Sequence, residues 1–162
     1  MQKLFSIISS NPELYTPWIN RRVIPNWIEQ EIITERISDK VFFTPQENSN
    51  IDRYTYLQKN PTAWYLDADV IVQKWPDFEM EKGFPYLSCV CGMYNNWAIL
   101  GNGCTWFFDY LLDLYEQRKN NPKRLWVQPL FNRDLKNKIK QIPDGYFIHL
   151  SLSMMLRKNH NG

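Results

Sequence analysis

WYLDADVIV (Trp64–Val72) places two aspartates, Asp67 and Asp69, one residue apart between apolar stretches suited to burial. Burying a carboxylate is costly unless a cation or hydrogen bonds compensate it. The spacing itself is common in this chain: Glu29 and Glu31, Asp77 and Glu79, and Glu79 and Glu81 share it among ordinary polar neighbours. Only at Asp67 and Asp69 does the pair interrupt a hydrophobic strand. Two oxygen ligands on alternate residues suit a hard cation such as Mg²⁺ or Mn²⁺, with positions left for water and substrate phosphates. Strand residues at i and i+2 share a face, although a bend after Asp67 would aim only one of them straight at the cation. The bland alternative is a pair of surface aspartates in a turn.

Working upstream, Ala63 to Leu66 reads as a strand that delivers Asp67 at its carboxyl end. Ser49 or Asn50 caps a short helix carrying Ile51, Tyr54 and Leu57, and Asn60-Pro61 stops it. KVFFT (Lys40–Thr44) is a strand closed by Pro45. Pro25 opens a helix-like segment with Ile24, Ile28 and Ile32 four apart and Ile33 and Ile37 continuing the stripe. LFSIISS (Leu4–Ser10) is a strand broken by Asn11-Pro12. Strand, helix, strand, helix, strand favours parallel pairing with right-handed crossovers. Ligands then bind beyond the carboxyl ends of the strands, where Ser9, Ser10 and Asp67 would converge.

Downstream, Trp75-Pro76 and the acidic stretch to Lys82 look like a surface excursion. Tyr86–Cys91 and Asn96–Leu100 are strand candidates, and Gly101-Asn102-Gly103 is a tight turn. Asn102 suits positive φ there, and also has the chemistry to bind a sugar hydroxyl. A helix from Thr105 to Arg118, a polar loop from Asn120 to Lys123 and an amphipathic run from Leu130 to Lys140 follow. YFIHLSL (Tyr146–Leu152) is a last strand carrying His149, and residues 156–162 read as a flexible tail. Asp109 and Asp113, four apart on the helix, read as a solvated face.

At 162 residues a single domain is expected, with a core of ordinary size. Net charge is +2 with Lys and Arg scattered, which argues against a nucleic-acid binder. Seven Trp, nine Tyr and nine Phe can fill a core or line sugar and base pockets. Three cysteines, with Cys89 and Cys91 in C-x-C spacing, form no zinc-ribbon pattern and read as reduced thiols. No apolar run has the length of a membrane span, so a cytoplasmic protein is expected, with peripheral contact at the inner membrane face compatible.

IDRYTYLQKNPTAWYLDADVIVQKWP (Ile51–Pro76) resembles the core signature of nucleotide-sugar glycosyltransferases with the A-type fold. It is most similar to bacterial and fungal families, of the capsular-polysaccharide type, with a DxxRY-like helix before a YLDxDV strand. Arg53-Tyr54 and Asp67-x-Asp69 match by position, whereas Asn50 stands where those families have an Asp. NNWAILGNGCTWFFDYLLDLY (Asn95–Tyr115) resembles the family's strand, small-residue turn and helix behind the sugar pocket. Gln128-Pro129 stands near the place of a family Gly-Pro, and YFIHLS resembles a C-terminal strand that supplies a metal-ligating His.

The resemblance implies a compact α/β fold, a Rossmann-like mixed, mostly parallel sheet flanked by helices. Residues of about 1–75 would form the nucleotide-binding half and about 76–155 the acceptor and sugar half. It implies a hexosyltransferase moving sugar from a nucleoside-diphosphate donor, a UDP-sugar, to a glycan or lipid-linked hydroxyl in polysaccharide biosynthesis. Ser9, Arg53, Tyr54, Asp67 and Asn102 become donor-binding candidates, and Asp67, Asp69 and His149 become ligands for Mn²⁺ or Mg²⁺. His149 could equally be a hydrogen-bonded core residue, and Arg53 could instead pair with Asp52 or a helix terminus. No catalytic base is assignable. Two alternatives stand beside the transferase: a non-catalytic carbohydrate or nucleotide binder on a reduced transferase fold, and a Mg²⁺-dependent phosphatase of the haloacid dehalogenase type. The latter wants a small pair after the second Asp, where Val70-Ile71 stand.

Overall fold

The computed structural model describes residues 1–39, 44–121 and 127–150 and has the expected βαβ alternation, with its early elements displaced. The order is β1 (Gln2–Ile7), α1 (Pro12–Asn20), β2 (Ile28–Ile33), α2 (Pro45–Lys59) and β3 (Trp64–Leu66). The stripe around Ile28 and Ile32 is thus a strand, not a helix. Four is an even spacing, so these residues share a face in either structure, and β-branched side chains favour the pleat. The helix lies earlier. Asn11 caps it by accepting from the Leu14 N–H at 3.3 Å, so Asn11-Pro12 starts a helix after the turn that follows β1, which already ends at Ile7. Residues 40–43 of the expected KVFFT strand, the loop at 122–123, the strand end at 151–152 and the tail at 156–162 lie outside the described residues.

After β3 come β4 (Val70–Val72), β5 (Tyr86–Val90), β6 (Met93–Leu100), α3 (Thr105–Asn120) and α4 (Val127–Leu135). A short 3₁₀ turn, β7 (Lys140–Gln141) and β8 (Phe147–His149) complete the described chain. The main sheet has the order β2-β1-β3-β6-β5-β7, and β4 and β8 form a separate two-stranded ribbon. β1 pairs parallel with β2 and β3, and β5 with β7, while β6 runs antiparallel to β3 and β5. The architecture is the expected mixed, mostly parallel α/β sheet with helices.

Strand alternation divides the core between two faces. Phe5, Tyr65, Leu87 and Ile99 pack with Ile51, Tyr54 and Leu57 of α2, with Phe107, Phe108 and Leu111 of α3, and with Phe131 of α4. Leu4, Trp64, Leu66, Ala98 and Leu100 turn to the other face. There the stretch after Trp75 is not a detached excursion: Trp75, Phe78, Met80 and Phe84 pack against that cluster without forming a helix or strand. Tyr86 Oη accepts from the Glu81 N–H at 2.8 Å, and Asn102 Nδ2 donates to the Glu81 and Phe84 carbonyls at 2.9 Å, pinning the segment. Gly101 is obligatory for this packing, because a Cβ there would lie 2.2 Å from the Pro61 carbonyl oxygen.

Candidate metal centre

β3 ends at Leu66, and the chain turns at residues 67–69 before β4 begins. The turn closes with the Val70 N–H donating to the Asp67 carbonyl at 3.1 Å, while the Asp67 N–H donates to the Trp97 carbonyl at 2.8 Å. β4 then pairs antiparallel with β8 in the register Val70↔His149, and the Leu150 N–H donates to the Asp69 carbonyl at 3.1 Å. That ladder carries His149 to the two aspartates. His149 Nε2 lies 3.3 Å from Asp67 Oδ2 and 3.4 Å from Asp69 Oδ1. One ligand atom from each of the three residues falls within 4.8 Å of the others. For a cation with ligands at about 2.1 Å, adjacent octahedral ligands are about 3 Å apart, so this donor set fits a small divalent ion.

α2 supplies the opposing charge. Arg53 is buried; it donates to the Asn96 carbonyl at 2.7 Å and to Asp67 Oδ1 at 3.2 Å. Its guanidinium also lies 4.1 Å from the centroid of the Tyr65 ring. The pairing with Asp52 is not made. Asp52 instead accepts from Arg36 Nε at 2.5 Å and from the Ser38 N–H at 2.8 Å. Tyr65 Oη donates to Asp67 Oδ1 at 2.5 Å, and burial first of all keeps that phenol well above its ordinary pKa and hence a donor.

Burial alone would raise the Asp67 carboxyl, but Arg53, then the hydrogen bonds from His149 and Tyr65, outweigh it and hold it below the ordinary range. For His149, burial disfavours the imidazolium, yet the bond to Asp67 and the charges of Asp69 and Asp67 prevail and raise it. Asp67 Oδ1 is therefore committed to Arg53 and Tyr65, which leaves Oδ2 facing the cluster.

A cavity of about 290 Å³ opens on these groups, bordered by Ile7 at the end of β1, Ser10 in the turn after it, Tyr15 of α1 and the first turns of α2 at Pro45, Gln46 and Ser49. Ser49 and Arg53, four apart, share the face of α2 that meets it. The helix N-terminus adds partial positive charge at this edge. Thr44, rather than Ser49 or Asn50, caps α2, accepting from the Glu47 N–H at 3.2 Å, and Glu47 pairs with buried Arg118 at 3.1 Å. Thr44-Pro45-Gln46-Glu47 carries the Thr-x-x-Glu helix-start pattern, the sequence signal that would have placed Gln46 and Ser49 here.

Arg53, Asp67, Asp69 and His149 are brought together, and Ser10 rather than its neighbour Ser9 lines the cavity. Ser9 sits half-buried in the turn after β1. Tyr54 lies behind the site: it is buried, and its Oη accepts from Asn96 Nδ2 at 2.9 Å. Asn96 also donates to Asn50 Oδ1 at 3.0 Å, and Asn50 donates to Tyr115 Oη at 3.0 Å, so Asn50 belongs to the same network. Asn102 is at the opposite sheet edge. Because β6 is antiparallel to β3, the residues after Leu100 meet Pro61 and Ala63, before β3 begins. Its φ of 52° agrees with the turn conformation read from the sequence. One participant had no sequence signal: Arg22 donates from Nη1 to Ser6 Oγ at 2.7 Å and from Nη2 to the Asp67 carbonyl.

No protein-family model and no curated protein sequence matches this chain. Solved structures do. The chain is similar to the glycosyltransferase GlyE of Streptococcus pneumoniae TIGR4 over 88% of its own length and 45% of that chain, with TM-score 0.58 and 15% identity. The apo form of GlyE gives TM-score 0.59 at 13% identity. The galactosyltransferase LgtC, in complex with donor and acceptor sugar analogs, aligns over 86% of this chain and 73% of that one, with TM-score 0.52 and 12% identity. The fold is one that glycosyltransferases use. The chain spans about 45% of the length of GlyE. Among the described residues, no helix is long and apolar enough to cross a membrane.

Proposed function

We propose that this domain is a metal-dependent glycosyltransferase that takes a hexosyl group from a nucleoside-diphosphate sugar, a UDP-sugar, to a glycan or lipid-linked hydroxyl. The observation that carries this reading is the convergence of Asp67, Asp69 and His149 at the mouth of a cavity that also meets Arg53 and the start of α2. Two carboxylates and an imidazole favour Mn²⁺ over Mg²⁺, because nitrogen donors suit the softer ion. Asp69 serves as the direct carboxylate ligand, Asp67 offers Oδ2, and His149 offers Nε2 in its neutral form. A bound cation would neutralise the diphosphate and polarise it as a leaving group. Arg53 and the α2 N-terminus place fixed positive charge where negative charge develops. Residues of about 1–75 then form the donor half, completed by His149, with the rest turned towards sugar and acceptor. Polysaccharide synthesis at the cytoplasmic membrane face is the setting that fits.

A panel of UDP-sugars, with and without Mn²⁺, tests this by thermal shift and by release of UDP. Metal-dependent stabilisation and turnover, both lost in Asp69→Ala, are expected. Metal-dependent binding without turnover on any acceptor would make the domain a binding module. Absence of any metal-dependent nucleotide binding would sink the transferase reading.

A further inference from the structure

Across the Asp67–Asp69 turn from the metal cluster lies a second and larger cavity, of about 470 Å³. One wall is the end of α1 and the loop after it, from Trp18 to Val23, and the other is β4 with the residues up to Trp75. Ala68 borders this cavity and the first one alike. The volume falls within the range of small-molecule sites, about 300–1,000 Å³.

Its chemistry is distinct from that of the first cavity. Arg21, Arg22 and Lys74 line it, and no acidic side chain does among the described residues. Lys74 does pair with Asp77 at 2.8 Å, in an exposed bridge that an incoming anion can share. Two indoles flank the cations. Arg21 stacks over Trp18, 4.5 Å from the ring centroid, and Trp75 Nε1 donates to the Val23 carbonyl at 3.2 Å, which fastens one wall to the other. Arg22 spends its terminal nitrogens on Ser6, Gln30 and the Asp67 carbonyl, but its Nε is buried and has no hydrogen-bond partner. That Nε is closed to solvent, so the cations a ligand in the cavity would meet are those of the exposed Arg21 and Lys74.

We infer that this cavity is a binding site for an anionic sugar, one that carries a phosphate or a carboxylate. Indole faces present flat apolar surface to a sugar ring, while guanidinium and ammonium groups hold the anion. A concave pocket whose two walls are joined by the Trp75–Val23 hydrogen bond suits such a ligand better than the flat surface of a membrane. The site stands independently of the sugar-transfer reading, since none of its charged groups is a ligand of the metal cluster.

The test is calorimetric titration with glucose 1-phosphate and with glucuronate, in chelator and without nucleotide, beside glucose, inorganic phosphate and anionic phosphatidylglycerol vesicles. Saturable binding of at least one anionic sugar is expected, tighter than glucose or phosphate alone. Arg21→Ala and Lys74→Ala should each weaken it about tenfold, the size of one charge-assisted hydrogen bond, and Asp69→Ala should leave it unchanged. Trp75→Ala should weaken it too; the exposed Arg21→Ala variant keeps the test decisive if loss of the Trp75 clasp impairs folding. No saturable binding, equal binding of glucose, phosphate alone binding as tightly, or binding to vesicles but not to soluble sugars would each overturn the inference. So would binding that is lost in Asp69→Ala but kept in Arg21→Ala, because the ligand would then occupy the metal cavity.

Discussion

Arg53→Met removes a buried charge while keeping most of the side chain's length. The residue is 3% exposed, donates to the Asn96 carbonyl and to Asp67 Oδ1, and covers the Tyr65 ring. Asp67 retains Tyr65 and His149 as partners but loses its principal cation. Removing one partner of a buried ion pair costs about 3–5 kcal/mol, because the other charge is left uncompensated. The Asp67 side chain is 26% exposed, so water recovers part of this, and a loss of about 3 kcal/mol is expected. In a domain of this size that corresponds to a fall of about 6–12 °C in Tm.

The penalty has a pH signature. The Asp67 carboxyl is held below its ordinary value in the fold, so its ionised form contributes stability above the unfolded-state pKa. That contribution disappears as pH falls through the lower folded value. Arg53→Met should therefore cost most near neutrality and progressively less below about pH 4. Urea unfolding of wild type, Arg53→Met, Asp67→Asn and the double variant, in chelator, reads both effects, with a coupling of about 1–3 kcal/mol expected near neutrality. A loss under about 1 kcal/mol, or a penalty that does not vary with pH, would refute the assignment of Arg53 as the counterion of Asp67.

Gly101→Ala forces a methyl group against the Pro61 carbonyl, where only backbone movement relieves the clash. A loss of about 1–3 kcal/mol in chemical denaturation is expected, and unchanged stability would show that the turn beside β3 opens freely. Divalent-cation affinity should rise with pH through the raised His149 value and level off above it, because a ligating imidazole must first release its proton. Mn²⁺ titrations across pH check this. A flat profile, or an unchanged one in His149→Gln, would remove His149 from the ligand set.

The central strand, its carboxylates and the arginine of the preceding helix were legible because burial and charge conflict there in the sequence itself. An apolar run holding two acids demands compensation, and Arg53 lies close enough upstream to provide it. The Ile28–Ile32 stretch was ambiguous for a geometric reason, since a spacing of four satisfies both helical and strand periodicity. Asn102 was displaced by topology: one antiparallel strand exchanges the two edges of the sheet, and local sequence does not encode strand direction. Arg22 had no local signature, because its role depends on β1, β2 and the Asp67 turn meeting around it.

The third residue of the candidate metal cluster is remote along the chain from the other two. His149 lies 82 residues from Asp67 and is held there by a ribbon of three paired residues. Contacts of such sequence separation close late, after the local strand–helix units have formed. A short ribbon also opens locally at lower free energy than the sheet core. Cation binding at the proposed site would be coupled to that closure, and a tightly held ion would fasten β8 to the body of the domain, adding about 2.7 kcal/mol at a hundredfold excess over its dissociation constant. The ion would then act as a latch as well as an electrophile, tying completion of the fold to readiness of the site.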